Sequence, residues 1–201
     1  MSSRDIDSFI YSTDVLEFIT IAAEYCKCIE AAETVNQETF VRHTQRLLPL
    51  LYIKGSLLKR SDTEEENIAH YLTEHEYYAL QASLERVLGE HDRFTDINSE
   101  YQEGVEPYIA SISEYLMDIY QDMKDFVHEY REGNDLVMEL SINRCIDAFE
   151  HYWGKKTVSV LRPIHSLSFL DATNNSSIFD TLNNTAEENE EWDDFMQQFR
   201  K

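Results

Sequence analysis

The sequence predicts an all-α protein, an up-and-down bundle of about five main helices followed by an acidic tail. Along most of the 201 residues, apolar side chains recur every three or four positions, which is the period of an amphipathic helix. Only five glycines and three prolines interrupt the chain, and so few breakers favour long helices over many short strands. No strand-like alternation is visible. We expect a bundle domain over residues 1–170 and a separate tail over 171–201.

The first predicted helix runs from about Asp5 to Glu33, and the second from its cap at Asn36 to about Lys59. Two neighbouring apolar stripes on the first helix indicate contact with more than one neighbour. Asparagine is a favourable N-cap for the second helix. Pro49 within that helix should produce a kink, because proline removes one backbone hydrogen bond.

The third predicted helix begins at Thr73 with the sequence Thr-Glu-His-Glu. This is a capping box, in which the side chains of the threonine and Glu76 each satisfy a backbone amide at the start of the helix. The helix should end at Leu88, because Gly89 is a favourable C-terminal stop. We expect an irregular loop over residues 90–107.

The fourth and fifth predicted helices form a hairpin. The fourth runs from about Glu106 to Arg131, and Asn134 caps the fifth, which extends to about His165. The fourth helix carries the most regular apolar seam of the chain: Ile109, Ile112, Leu116, Ile119, Met123, Phe126 and Tyr130. Because the link between the two helices is so short, they should pack as antiparallel neighbours.

The fifth helix has two unlike faces when its residues are placed at about 100° intervals. One face, centred on Phe149, is an ordinary core face. The opposite face is also mostly apolar, but it carries Asp147, His151, Gly154 and His165. A helix that is apolar on both sides is usually buried on both sides. Gly154 should therefore allow another helix to approach closely.

Carboxylates and histidines on facing helices are the groups from which helical bundles build metal sites. Asp147 and His151 lie one turn apart on the fifth helix, as do Asp118 and Asp122 on the fourth. Together with His165 they form the candidate polar cluster. We favour a structural interpretation, in which a buried His151 donates to the carboxylate of Asp147, because buried polar groups must be paired whether or not they do chemistry. We expect no bound metal or cofactor.

The tail is polar until its last residues, where Trp192, Phe195, Met196 and Phe199 recur at helical spacing. This pattern predicts one apolar face of a short helix. A helix so short is marginal alone in water, and its face should dock into a groove of its own bundle or of a partner. We favour the bundle of the same chain.

The net charge of −22 disfavours direct binding of nucleic acids or anionic lipid surfaces, both of which carry the same sign. The charge is more compatible with a basic protein partner, and a homodimer is also possible. The three cysteines form no Cys-x-x-Cys pair, and the first residues lack the order of a signal peptide. No apolar run approaches the roughly 20 residues that cross a bilayer. We expect a cytoplasmic protein with reduced thiols.

Three stretches of the chain carry a family resemblance: EYYALQASLERVLGEHDRF, YLMDIYQDMKDFVHEYREG and DAFEHYWGKKTVSVLRPIH. They resemble a bacterial family known as domain of unknown function 5063. The most specific parts are the DIY-x-D motif and the Trp-Gly pair followed by Leu-Arg-Pro-Ile-His. The resemblance covers roughly residues 5–170. It implies an up-and-down helical bundle, and it implies no activity, since none is assigned to the family.

The sequence contains no glycine-rich phosphate loop, no Gly-x-Ser-x-Gly and no His-Glu-x-x-His motif, so the common catalytic signatures are missing. We therefore predict a non-catalytic protein-interaction module. The alternative is a metal-binding or hydrolytic bundle enzyme that uses the candidate polar cluster. A third hypothesis is mimicry of nucleic-acid charge, in which the acidic surface occupies a basic protein.

Overall fold

The computed structural model of the protein describes residues 9–63, 71–97, 106–132 and 134–170. Its elements, in chain order, are α1 (Thr13–Glu30), α2 (Gln37–Gly55), α3 (Glu74–Leu88), β1 (Arg93–Asp96), β2 (Tyr108–Ser111), α4 (Ile112–Arg131), α5 (Asp135–Ala148) and α6 (Gly154–Leu167). A π-helical turn, Phe149–Trp153, joins α5 to α6 into one helical segment. Five main helical segments result, and the predicted all-α bundle is confirmed.

Helix α4 is central to the bundle, and it packs against α1, α3, α5 and α6. Apolar side chains three and four positions apart share one side of a helix, and this side of α4 is buried along its whole length. Its buried residues include Ile112, Leu116, Ile119, Met123, Phe126 and Tyr130. Helices α4 and α5 are packed neighbours across their short link, as the hairpin prediction required.

The predicted caps at Asn36, Thr73 and Asn134 and the predicted stop at Gly89 are confirmed, whereas α2 ends at Gly55, before the predicted end near Lys59. The side chain of Asn36 accepts from the amide of Thr39 at 2.8 Å, and Asn134 caps α5 in the same way. Thr73 opens α3 with a complete capping box. Gly89 ends α3 with φ of 55°, a left-handed value that glycine adopts without strain.

A short strand, β1, lies within the stretch predicted to be an irregular loop, and it pairs with β2 as a small β-hairpin just before α4. Strands β1 and β2 pair antiparallel, with Arg93 opposite Ser111 and Asp96 opposite Tyr108. Arg162 of α6 donates to the carbonyl of Thr95, which ties the hairpin to the bundle. The four-residue strands are too short to produce a visible alternation of apolar and polar residues, and their pairing was therefore missed.

The hairpin also moves the start of the fourth helix. Helix α4 begins at Ile112, and the prediction of a start near Glu106 is wrong. Ile109, which was expected in the buried seam, lies on β2 and is 64% exposed. Ser111 provides the N-cap instead, because its side chain accepts from the amide of Glu114.

Helix α2 approaches the π-helical turn most closely at Gly55. A Cβ atom at this position would lie 2.5 Å from the ring of Trp153. Trp153 is fully buried, stacks on Phe18 with a ring separation of 6.0 Å, and donates from Nε1 to the carbonyl of Cys145 at 3.1 Å. The glycine therefore makes room for the indole that joins α2, α1 and the turn.

Gly154 has a different role from the predicted one. A Cβ atom there would collide with the carbonyl oxygen of Phe149 and lie 2.8 Å from the Cδ2 atom of the same residue. Gly154 thus permits the widened π-helical turn of its own segment. The close approach of a neighbouring helix, which the sequence assigned to Gly154, occurs at Gly55.

The three cysteines, Cys26, Cys28 and Cys145, are free thiols. Burial raises the pKa of Cys26 to about 12 and that of Cys28 to about 11. Thiols of this kind are poor nucleophiles at neutral pH. Within the described part of the chain, the longest and most apolar helices still fall short of what a membrane span requires.

Candidate binding groove at the π-helical turn

An open groove of about 830 Å³ lies beside the π-helical turn, and its volume is typical of ligand sites in proteins. Helix α2 contributes Tyr52, and the hairpin contributes Asp96, Ile97 and Tyr108. The remaining lining comes from α4, the turn and α6: Tyr115, Phe149, Glu150, His151, Tyr152, Gly154, Lys155, Lys156, Val158 and Ser159. The lining combines aromatic rings with a few charged groups.

The π-helical turn determines which side chains reach the groove. Within the turn, Trp153 is fully buried while its neighbour Tyr152 is 46% exposed on the groove side. The ring of Phe149 meets the ring of Tyr52 edge to face, with centroids 5.1 Å apart. Single π-helical turns inside α-helices frequently mark functional sites. Here the turn places Trp153 in the core and the adjacent Tyr152 on the surface of the groove.

Lys156 carries a half-buried charge in the groove. Its ammonium group pairs with the carboxylate of Asp118 and lies 4.7 Å from the ring centroids of both Tyr115 and Tyr152. Asp118 also accepts from the hydroxyl of Tyr77 at 2.8 Å. Burial alone lowers the pKa of Lys156, but the hydrogen bond and the charge of Asp118 outweigh burial and raise the pKa. Lys156 is therefore a fixed cation at neutral pH.

A chain of hydroxyl groups connects the hairpin to α4. The hydroxyl of Tyr115 donates to the carboxylate of Asp96 at 3.0 Å, and the hydroxyl of Tyr108 lies 2.5 Å from that of Tyr115. Since Tyr115 donates to the carboxylate, Tyr108 donates to Tyr115. Burial, followed by these hydrogen bonds, raises the pKa of Tyr115, so the phenol stays neutral.

The structure separates the members of the predicted polar cluster. Asp118 lies at the base of the groove with Lys156. Asp147 pairs instead with Arg60, in the segment that follows α2. These two carboxylates therefore have different cationic partners.

His165 and Asp122, two further members of the cluster, lie near different residues. His165 is exposed, and its Nδ1 atom lies 3.2 Å from the side-chain amide nitrogen, Nε2, of Gln45 on α2. Asp122 lies near Cys145 of α5: burial raises the pKa of Cys145, and the charge of Asp122 adds to this effect. The cluster is thus distributed over several sites along α4 and the α5–α6 segment.

The prediction of a buried His151 paired with a carboxylate is wrong. His151 is exposed, and its Nδ1 atom lies 2.9 Å from the main-chain oxygen of Asp147. Because a carbonyl oxygen only accepts, Nδ1 is the donor in this contact. The apolar face on which the prediction relied is itself open to solvent, since Val158 is 56% exposed.

A three-residue group at the rim of the groove could hold a metal ion. Asp147, Glu150 and His151 each have a potential ligand atom within 4.8 Å of the others. Glu150 was not part of the predicted cluster. The guanidinium of Arg60, paired with Asp147, lies 3.6 Å from the carboxylate of Glu150. The two carboxylates of this group therefore already have a cationic neighbour in Arg60.

Sequence reasoning missed most of the residues that shape the groove: Tyr52, Asp96, Tyr108, Tyr115, Tyr152 and Lys156. One signal was present, since the Trp153-Gly154 pair and the adjacent lysines at positions 155 and 156 are unusual inside a helical pattern. The predicted docking face of the tail, Trp192, Phe195, Met196 and Phe199, lies outside the described residues, and so does the whole predicted tail domain over residues 171–201. Both stay predictions.

Comparison with known proteins identifies the family. Residues 9–169 match the family described as "Domain of unknown function (DUF5063)". Among curated proteins, none matches the chain. The chain is similar to protein BF1032 from Bacteroides fragilis, which has a crystal structure: the two share 36% identity over 81% of this chain and 96% of that chain, with a TM-score of 0.71. The chain therefore belongs to the DUF5063 family, as its sequence motifs predicted.

Proposed function

We propose that this protein is a non-catalytic interaction module that binds a segment of a partner protein in the groove at the π-helical turn. The observation that carries the proposal is the exposure of the groove lining. Five of its large side chains are at least 39% exposed: Tyr52, Ile97, Tyr108, Tyr152 and Val158. Clustered exposed apolar surface of this kind marks interaction sites in folded proteins.

The charged and hydroxyl groups of the groove support binding over catalysis. A general base or nucleophile at neutral pH needs a pKa near the working pH. The pKa values of Lys156 and Tyr115 are instead raised away from neutrality, and each group is held by a carboxylate. Such groups are suited to orienting a ligand through fixed charges and ring faces.

Site-specific photo-crosslinking tests the proposal. A benzophenone amino acid replaces Tyr152 in the groove or, as a matched control, Tyr78, which is 59% exposed on α3 and does not line the groove. After irradiation in cells of the source organism, we expect a discrete protein adduct from position 152 alone, identified by mass spectrometry. Absence of an adduct at position 152, or the same adducts from both positions, would contradict the proposal.

A metal-binding function is the second candidate, and the grouping of Asp147, Glu150 and His151 favours it. Two carboxylates and an imidazole match the ligand types that zinc uses. Elemental analysis of the purified full-length chain, followed by zinc titration in a calorimeter, tests this function. Stoichiometric zinc that is lost in His151→Ala and kept in the control His165→Ala would support it. Absence of zinc binding in the wild type would eliminate this candidate.

A further inference from the structure

The geometry of the groove points to the chemistry of its occupant. We infer, on the basis of the proposed function, that the bound segment presents an arginine or lysine side chain to the tyrosine rings and carboxylates of the groove. Three features of the described residues support this inference: the ring faces, the positions of the acidic groups and the balance of charge.

The groove already holds a cation against tyrosine rings. The ammonium group of Lys156 lies between the rings of Tyr115 and Tyr152, at 4.7 Å from each centroid. Ring faces attract cations through their quadrupole, and the attraction grows where water is partly excluded. Lys156 is matched by Asp118. Its charge is therefore compensated within the bundle, and the outer ring surfaces of Tyr52, Tyr108 and Tyr152 remain exposed to a ligand.

Two further carboxylates flank these outer rings. Asp96 is oriented by the hydroxyl of Tyr115, next to the exposed ring of Tyr108. Glu150 lines the same groove as Tyr152, and 54% of its side chain is exposed. The guanidinium of Arg60 lies 3.6 Å from Glu150, so an arginine of this chain already approaches the rim of the groove. A carboxylate next to a ring face is a favourable environment for a guanidinium or ammonium group.

The charge balance disfavours an acidic occupant. The lining contains two carboxylates, Asp96 and Glu150, and two lysines, Lys155 and Lys156, and the charge of Lys156 is already matched by Asp118. The whole chain carries −22. A basic segment would be attracted over a distance before it docks, whereas an acidic segment would be repelled, and this effect weakens as salt is added.

Selection from random linear peptides displayed on phage tests the inference, with the immobilised full-length chain as bait. We expect the enriched peptides to combine arginine or lysine with neighbouring apolar residues. Synthetic copies should bind the wild type and the control Tyr78→Ala equally, and should lose affinity by about tenfold or more for Tyr152→Ala. Glu150→Gln should weaken binding by about two- to fivefold and flatten its salt dependence. The matched Glu85→Gln, at an exposed acid of α3, should leave affinity unchanged.

The possible outcomes distinguish failure of the basic-segment inference from failure of the proposed function. Acidic or neutral peptides that still depend on Tyr152 would overturn the basic-segment inference and support the groove as an interaction site. A basic peptide that binds Glu150→Gln and wild type with the same affinity and salt dependence would also overturn the inference. Peptides whose affinity is the same for Tyr152→Ala and wild type, or no enrichment at all, would overturn the proposed function itself.

Discussion

Ile119 at the centre of α4 is fully buried, whereas Ile109 on β2 is 64% exposed, although both belong to one apolar repeat in the sequence. The difference arises at Ser111, where the chain leaves the hairpin and enters the helix. After that point, side chains three and four residues apart share one side and meet the core. Before it, the strand pairs with β1 and presents Ile109 to solvent. The same spacing of apolar residues therefore leads to burial in the helix and to exposure in the strand.

The core and the groove also differ in how they are marked in the sequence. The core contacts join different helices, but each core face is marked by the helical period, a pattern of residues close together in the sequence. The groove depends on single contacts between distant residues, such as Tyr77 with Asp118 and Lys156 with Asp118. Distant pairs leave no regular pattern in the sequence. This difference can be tested by substitutions in each region.

Truncation of a core side chain should have the largest effect on the free energy of unfolding. Ile119→Ala removes a fully buried side chain and leaves a cavity, which typically costs about 2–5 kcal/mol of unfolding free energy. Ile109→Ala is the matched control. It should change stability by no more than about 0.5 kcal/mol, because its side chain is exposed. Chemical unfolding measures both. Equal effects of the two substitutions would contradict the assignment of Ile109 to the hairpin.

The helices could be predicted because their signals are local. Asn36, Thr73 and Asn134 each cap a helix through contacts within three residues of the cap, and Gly89 stops α3 through its own backbone angle. The π-helical turn could not be placed in the same way. Its widened backbone depends on the absence of a Cβ atom at Gly154 next to Phe149, and a helix of constant 100° steps contains no such feature.

The candidate site was predicted only in part, for a related reason. Asp118 was identified, but its lysine partner was not, because nothing in the sequence connects α4 to position 156. His151 was expected to be buried on the strength of an apolar face. The structure leaves that face open at Val158. Apolar side chains that line a binding groove and those that fill a core have the same composition, and only the three-dimensional packing distinguishes them.

Removal of the ion pair between Asp118 and Lys156 should have the next largest effect on the free energy of unfolding. Asp118→Asn keeps an acceptor for the hydroxyl of Tyr77 but leaves the ammonium of Lys156 uncompensated between two rings. We expect a loss of about 1–3 kcal/mol. In a double mutant with Lys156→Met, the combined loss should be smaller than the sum of the single losses. Strictly additive losses would contradict direct coupling of the pair.

The same pair predicts a pH dependence with a definite sign. The folded pKa of Lys156 lies above its ordinary value of 10.5. The stabilisation is therefore fully present below pH 10.5 and is lost as the pH rises through the folded value. The stability difference between wild type and Asp118→Asn should shrink over that alkaline range. A difference that stays constant would show that the charge of Lys156 is not its source.

Close packing between α2 and the turn should have a smaller net effect. In Gly55→Ala the added methyl group meets the ring of Trp153, and overpacking typically costs about 1–3 kcal/mol. The higher helix propensity of alanine offsets about 1 kcal/mol of this cost, so the expected net loss of unfolding free energy is about 0–2 kcal/mol. The loss should fall when Trp153→Phe removes the outer part of the indole. A stabilised Gly55→Ala protein would contradict the contact.

The smallest effect should come from the hydroxyl chain that attaches the hairpin to α4. Tyr108→Phe removes the hydroxyl that lies 2.5 Å from the Tyr115 hydroxyl and keeps the ring on the rim of the groove. The loss should be about 0.5–1.5 kcal/mol, while Tyr78→Phe on α3 should be neutral. Amide hydrogen exchange gives the sharper readout, because local openings are resolved by residue. Exchange should accelerate in β1 and β2 and stay unchanged around Ile119. Equal acceleration in both regions would show that the hairpin and the core unfold as one unit, and that the groove wall cannot open while the bundle stays intact.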